Sequence, residues 1–313
     1  MKNLKFKERN ECPLCDCDDF LIHIDFENIP IVQCKECSFL YVKRIMDNEV
    51  LEEYYKNFSG NSQQQGQLVN SKVNFQIVRK IIRKLEIKNI LDVGTGYGYL
   101  LSQLNDKLKI DVSGMDLSEN ETSFAVNELG LDVRRGLLNE VGFPKEDFDL
   151  VMALETIEHI ENPVEFVREL SNYIKPNKYL LLVTDNFKSD IVRKFGVHFP
   201  KWIPHAHISD FCPDTILSCI EKAGNFNIVS TNSYTPWELK ISHLLGKRKP
   251  THNSKMDLNT VFNLQEVLKS EMNKSYKYFG FRRIFNQYWA KLTLRNDLNG
   301  AMMYVLAQKI DTE

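Results

Sequence analysis

The sequence predicts an α/β fold: a doubly wound, mostly parallel sheet, preceded by a small cysteine module and interrupted by a helical insertion before its last strand. Three observations carry this. From residue 89 onward, apolar strand-length runs alternate with helix-length segments. Three glycines at every second position follow the first of those runs, in "ILDVGTGYGYLL" at 90–101. Five of the seven cysteines fall within the first 37 residues, where a sheet of this kind needs none.

At 313 residues the chain exceeds a single core of about 200 residues, so one α/β core with small additions is expected. A formal charge of −2 gives no global attraction to a polyanion, and any basic patch must be local. The stretch "MKNLKFKERNEC" lacks the apolar core of a signal peptide. No apolar run reaches the roughly 18 residues that span a bilayer, so a cytoplasmic protein is expected.

Taking the elements in order, "CPLC" and "CKEC" place Cys12, Cys15, Cys34 and Cys37 in two knuckles separated by 18 residues. Four converging thiolates make a closed tetrahedral zinc site, structural because it leaves no position for water. A redox C-x-x-C is the competing reading, disfavoured by the second pair and by the missing flanking βαβ pattern. Residues 1–45 are thus read as a zinc ribbon, with Cys17 a spare thiol, docked on the main domain or shaping its acceptor side.

Residues 46–72 read as a short helix followed by a polar linker or entrance loop, because Gly60, Gly66 and a glutamine triplet interrupt any pattern. The core is expected over 73–313. It opens with a helix whose apolar face is Val73, Ile77, Ile81 and Leu85. Then come "NILDV", "VSGMD", "LDVRR", "FDLVMAL" and "KYLLLVT" as strands, several of them continuously apolar, as strands buried on both faces are. A helix at "DTILSCIEKAG", with Asp214 its expected cap, precedes a strand at "FNIVSTNSY". The next strand, "AMMYVLAQKI", arrives only at 301, so the two should pair antiparallel around a helical insertion at about 237–298.

What the glycine turn holds is narrowed by spacing. A dinucleotide turn, G-x-G-x-x-G, would need glycine where Tyr99 stands, and a P-loop would need a lysine that is missing. The spacing present, Asp92-x-Gly94-x-Gly96-x-Gly98, resembles motif I of class I S-adenosylmethionine-dependent methyltransferases, a Rossmann-like family. The resemblance continues through "FDLVMALETIEHIENPVEFVRELSNYIKPNKYLLLVT" and covers roughly 89–235. It implies that Gly94 and Gly96 bring backbone N–H groups toward the amino-acid tail of the cofactor, that Asp92 holds its ammonium, and that Asp116 accepts the ribose hydroxyls. It further places Leu117, Leu137, Leu138 and Leu154 along the cofactor. One departure is Leu137, which stands where members carry an acid for the adenine amino group. The zinc knuckles resemble those of methyltransferases in sugar and polysaccharide biosynthesis, including sugar C-methyltransferases.

A hydroxyl acceptor must lose a proton, so the transfer calls for a base about 3 Å away. His159 is the first candidate, following the fourth strand with Glu155 and Glu158; capping or packing the next helix is its alternative role. His205 and His207 are the second pair, placed by their i, i+2 spacing on one face of an extended segment; without a third ligand nearby they would not complete a metal site. From Lys240 to Arg295 there are 12 Lys and Arg against 3 Asp and Glu, with Tyr276, Tyr278, Phe279 and Trp289 among them. That reads as a cationic lid for a phosphorylated or nucleotide-linked sugar, or as a solvated helix face. The acidic ribbon, "CDCDDF", disfavours the RNA methyltransferase that is the main alternative to a small-molecule enzyme; a non-catalytic module keeping the fold is the third.

Overall fold

The computed structural model describes residues 5–26, 29–47, 61–244 and 279–310. The first of these segments fold as small strands: β1 (Phe6–Glu8), β2 (Phe20–Ile24), β3 (Ile31–Cys34), β4 (Leu40–Val42) and β5 (Arg44–Met46). Strands β1 and β5 pair with each other, while β2, β3 and β4 form an antiparallel sheet. The expected short helix after residue 47 falls on 48–60, outside the described residues.

The first long helix, α1, runs Asn61–Leu85. It begins 12 residues before the expected Val73, so the glutamine triplet is helical rather than part of an entrance loop. Glutamine is a good helix former, and Gly66 costs only about 1 kcal/mol against the packing the helix gains. Its buried stripe is Val73, Ile77, Val78 and Ile82, with Ile81 and Leu85 at the margin.

The core follows as β6 (Asn89–Val93), α2 (Tyr99–Leu108), β7 (Asp111–Asp116), α3 (Glu119–Asn127), β8 (Asp132–Arg135), β9 (Phe148–Leu154), α4 (Pro163–Ser171) and β10 (Ile174–Asp185). After β10 come α5 (Asp190–Phe195), the two-residue β11 (Ser209–Asp210), α6 (Pro213–Ala223), β12 (Phe226–Tyr234), α7 (Trp237–Leu244), α8 (Phe279–Thr293) and β13 (Met302–Lys309). Seven of these strands form one sheet in the order β12-β13-β10-β9-β6-β7-β8. All neighbours are parallel except β13, which runs antiparallel to both β10 and β12. The expected hairpin partners therefore pair, across an insertion whose described ends are helical and whose middle, 245–278, lies outside the described residues.

Each central strand buries alternate residues on opposite faces. Leu180 and Leu182 of β10 join Val151, Ala153 and Leu91 on one face, where Phe166, Leu170, Ile216 and Ile220 of α4 and α6 cover them. Leu181 and Val183 join Leu150, Met152 and Ile90 on the other, under α1 and α2. Strand β10 begins ahead of the expected "KYLLLVT", and the "KPNK" segment forms a bulge inside it, with Asn177 in the left-handed region at φ 60°. Helix α6 is capped by Cys212 and Thr215 rather than by Asp214, because Pro213 takes the first helical position and sets the cap two residues back. Asp214 points instead at Lys188, 3.9 Å away.

The ribbon is built into this core. Cys12, Val32, Phe39 and Tyr41 share the first cluster with the sheet, and the opposite side of the ribbon packs Ile31, Leu40 and Val42 against Phe187, Phe199 and Trp202. Strand β11 adds to the ribbon sheet beside β4. No described helix is long and apolar enough to cross a membrane.

Leu181 has no exposed surface at the centre of this sheet. Leu181→Ala should lower unfolding free energy by about 2–5 kcal/mol, measured by denaturant titration; a loss below 1 would mean that the face under α1 is loosely packed.

Candidate active site

The carboxyl ends of β6, β7 and β9 open into one crevice of roughly 1080 Å3, where ligands sit in open α/β sheets. At its floor, the turn after β6 passes through three left-handed glycines, with φ 81° at Gly94, 57° at Gly96 and 73° at Gly98. Space as well as φ requires them. A Cβ on Gly96 would collide with the side chain of Gln67, and one on Gly98 would come within 2.8 Å of Leu131 Cδ1. Tyr99, at the site of the third dinucleotide glycine, stacks with Tyr97 and Phe124.

The N–H groups of this turn are already engaged, contrary to the expectation that they point at a ligand. Gly94 and Thr95 donate to Met115 C=O at 2.9 and 3.0 Å, and Tyr97 donates to Gln67 Oε1 at 2.9 Å. Gly96 donates to Asp116 Oδ2, and Ser118 to Asp116 Oδ1, both at 2.9 Å. These bonds fix the Asp116 carboxylate at the end of β7 and leave each oxygen a further lone pair for a hydroxyl. Asp92 is 3% exposed; its Oδ2 accepts from Thr95 Oγ1 at 3.1 Å and its Oδ1 accepts from no group. That buried oxygen suits an ammonium.

Glu121 joins the two acids, taking a bond from Gln67 Nε2 at 2.9 Å. Burial, then the neighbouring Asp116, pushes Glu121 up to about 8 and Asp92 up to about 7. Glu121 was legible in part: Ser118-x-x-Glu121 is a capping-box pattern, and Ser118 does cap α3. Gln67 and Asn139 also line the crevice without any pattern that marked them. Leu117 and Leu137 are 45% and 51% exposed at its mouth, whereas Leu138 is buried and Leu154 half-buried behind it. Two exposed leucines at a crevice mouth can grip a flat ring from its faces.

At the other end lie Glu155, Glu158, His159, His205 and His207, all of the expected acceptor residues. Glu155 sits in the left-handed region at φ 54° and is held by Asn70 Nδ2 at 3.1 Å and Lys201 Nζ at 3.2 Å. Lys201 also pairs with Asp185 at 3.0 Å; burial opposes its charge, but Asp185 and Glu155 outweigh burial and raise its pKa. Glu158 is wholly buried, accepts from Thr184 Oγ1 at 2.9 Å, and is pushed up to about 8 by burial and then by Asp185. At neutral pH it holds its proton.

His159 is pushed the opposite way, to about 4, again by burial, and so is neutral. Its Nδ1 lies 2.9 Å from Ala206 C=O. A carbonyl can only accept, so Nδ1 carries the hydrogen and Nε2 the lone pair. His207 packs edge-on against it, with ring centroids 4.9 Å apart. The extended segment expected for His205 and His207 is a turn instead: Ala206 and His207 both donate to Ile203 C=O, because Pro204 sets the φ of a turn at its second position. Both rings still reach the crevice. Among the described residues, His205 and His207 gain no third ligand; the groups brought together are instead Glu158, His159 and His207, one oxygen of the first and one nitrogen of each ring lying within 4.8 Å of one another.

In the ribbon, Cys12 Sγ lies 3.5 Å from Cys37 Sγ and Cys15 Sγ the same distance from Cys34 Sγ, with all four sulfurs within 4.8 Å. Sulfurs about 2.3 Å from one zinc ion would stand roughly 3.8 Å apart, so the four fit a structural zinc site. Among the described residues, no side chain of the basic insertion lines the crevice. Lys240 lies over the Trp289 ring and Arg295 pairs with Asp297.

A family model described as a methyltransferase domain matches residues 56–231, more than half of the chain. The ubiquinone biosynthesis O-methyltransferase of Caulobacter vibrioides is 33% identical over 127 residues, covering 37% of this chain and 49% of the relative. Its counterpart in Bradyrhizobium diazoefficiens is 30% identical over 123 residues, covering 37% and 48%. The chain thus spans about half the length of the curated relatives it matches. In fold it resembles a crystal structure of an S-adenosylmethionine-dependent methyltransferase from Thermotoga maritima, with TM-score 0.52 at 15% identity, covering 83% of this chain and 99% of that one.

A cationic ligand favours ionised Asp92 and Glu121, whereas the empty crevice favours their protonated forms. Affinity for S-adenosylmethionine should therefore rise with pH through about 7 to 8, by up to about tenfold per unit for each linked proton, with proton release seen by calorimetry in buffers of different ionisation enthalpy. The ligand-free protein should show the reverse sign: the stability these raised groups contribute is full below the ordinary carboxylate range and is lost as pH climbs to about 8. An affinity flat from pH 6 to 9 would show both groups already ionised.

Proposed function

Because the chain belongs to the methyltransferase-domain family, whose cofactor is S-adenosylmethionine, we propose that it methylates a hydroxyl of an uncharged small molecule, a sugar by preference, with His159 as the base. The observation that carries this reading is the neutral His159 ring, held by Ala206 C=O in the tautomer that leaves a proton-accepting atom at Nε2. Support for oxygen as the acceptor atom comes from the names of the relatives, and support for a sugar from the four-cysteine ribbon.

The cofactor supplies a methyl group on a sulfonium. Asp116 and Asp92 would hold its ribose and ammonium, and the exposed Leu117 and Leu137 its adenine. The chain then has to align an acceptor oxygen with the methyl carbon and take the hydroxyl proton. His159 Nε2 would take that proton, while the cofactor would supply the methyl group to the acceptor oxygen, its sulfur keeping the electron pair. Glu158, protonated at neutral pH, does not compete for this role. Thr156 Oγ1, bonded to Val93 C=O at 3.1 Å, packs against Gly94 and so fixes the distance between the two halves of the crevice.

The charge of the crevice selects among acceptors. Eight of its described residues carry carboxyls, and Lys201, its one lysine or arginine, is taken by Asp185 and Glu155. Among the described residues of the crevice a phosphorylated or nucleotide-linked sugar finds no further lysine or arginine, and the same count weighs against RNA. A phenolic hydroxyl is the second reading: Trp202 lines the acceptor end, and the relatives are named for ubiquinone biosynthesis.

Methyl transfer from labelled S-adenosylmethionine should be measured on free glycosides, nucleotide sugars, phenols and total RNA. Glycosides should be the preferred acceptors, and His159→Ala should lose about 10²–10⁴-fold in turnover at unchanged cofactor affinity. Wild-type turnover in His159→Ala would assign that ring to packing, and preferred transfer to nucleotide sugars or RNA would overturn the uncharged acceptor.

A further inference from the structure

Arg9 belongs to the ribbon, three residues before the first cysteine, yet its side chain leaves the ribbon and is 6% exposed. Its Nη1 donates to Ile208 C=O at 2.7 Å and its Nη2 to Glu161 C=O at 2.7 Å, with Ser209 Oγ at 3.4 Å. The guanidinium therefore forks across two chain segments far apart in sequence. One carries Glu158 and His159, and the other carries Ala206, whose carbonyl orients His159.

The Ile208 peptide joins the two. Its N–H donates to Glu158 C=O at 2.8 Å, and its carbonyl accepts from both Arg9 and Val42 N–H, the latter at 3.0 Å. A parallel bond runs from Ser209 Oγ to Ile160 C=O at 2.8 Å. Tyr41, wholly buried, lies beneath the guanidinium, its ring centre 5.3 Å from Arg9 Cζ. A buried cation is retained only where its donors are satisfied, and here backbone carbonyls of the candidate site satisfy them.

We infer that Arg9 is a positioning residue: by clamping the 158–161 and 206–209 segments together, it holds Ala206 C=O against His159 Nδ1 and so sets the tautomer that puts the lone pair on Nε2. This inference rests on the reading of His159 as the base. It makes the ribbon part of the acceptor site by way of one side chain, and lysine, with no planar fork, cannot bridge both carbonyls in the same way.

The test uses the full chain with zinc bound, labelled with 15N at histidine, in long-range proton–nitrogen correlation spectra at neutral pH; His159→Gln assigns the resonance. Wild type should show His159 as the Nδ1–H tautomer. In Arg9→Met the Nε2–H tautomer should appear. Arg9→Lys should recover the wild-type tautomer in part. Zinc content should stay constant, because Arg9 donates to none of the four thiolates, and the dissociation constant for S-adenosylhomocysteine should hold within about twofold, because Arg9 makes no hydrogen bond to Asp92 or Asp116. A folded Arg9→Met protein with an unchanged His159 tautomer overturns the inference. If Arg9→Met does not fold, Ser209→Ala is read in its place, with the same change of tautomer expected in smaller degree and no change overturning the clamp. Failure of wild type to bind S-adenosylhomocysteine would sink the proposed reaction alone, because the tautomer comparison does not depend on turnover.

Discussion

Burial on both faces of one sheet is the constraint from which the rest follows. Strands β9, β6 and β10 have no solvent side, so helices must cover them above and below, and the crossovers that place those helices leave the strands' carboxyl ends as the open edge. Polar groups at those ends face a cavity rather than bulk water. Burial there raises Asp92, Glu121 and Glu158 and lowers His159, so the same desolvation keeps acids protonated and a base neutral.

Parts of the molecule that are local in sequence were legible. The two knuckles, the glycine turn and the alternation of strand and helix each occupy a short window, and the periodicity that buries a strand is visible in the strand itself. The antiparallel pairing of β12 with β13 was also legible, because a chain that leaves the sheet for some 65 residues and returns with an apolar run has few places to go. Boundaries were less so. Helix α1 starts well before its apolar stripe because its first turns face the crevice, where polar residues such as Gln67 and Asn70 are required.

The site itself was legible where one segment supplies it and hidden where two must meet. Glu155, Glu158 and His159 stand together in the chain, and all three line the crevice. Lys201 and Asp185 neutralise each other from separate segments, and neither stands in a motif. Arg9 stands in no motif, and nothing beside it in the sequence shows that its partners lie about 150 to 200 residues away. The basic insertion keeps its reading as an expectation: most of its Lys and Arg fall in 245–278, outside the described residues, while of those described Lys240 lies over Trp289 and Arg295 pairs with Asp297.

The position of β13 has a consequence for assembly on the ribosome. It lies between β10 and β12, so these two strands cannot pair with each other when they emerge, and the long excursion after β12 must be translated before the gap is filled. At roughly 5–20 residues per second that wait lasts several seconds, with the apolar edge of β10 lacking its neighbour. The nascent chain would spend that interval as a client for chaperones, and the late strand, rather than the glycine turn or the ribbon, would set when the polypeptide becomes safe from aggregation.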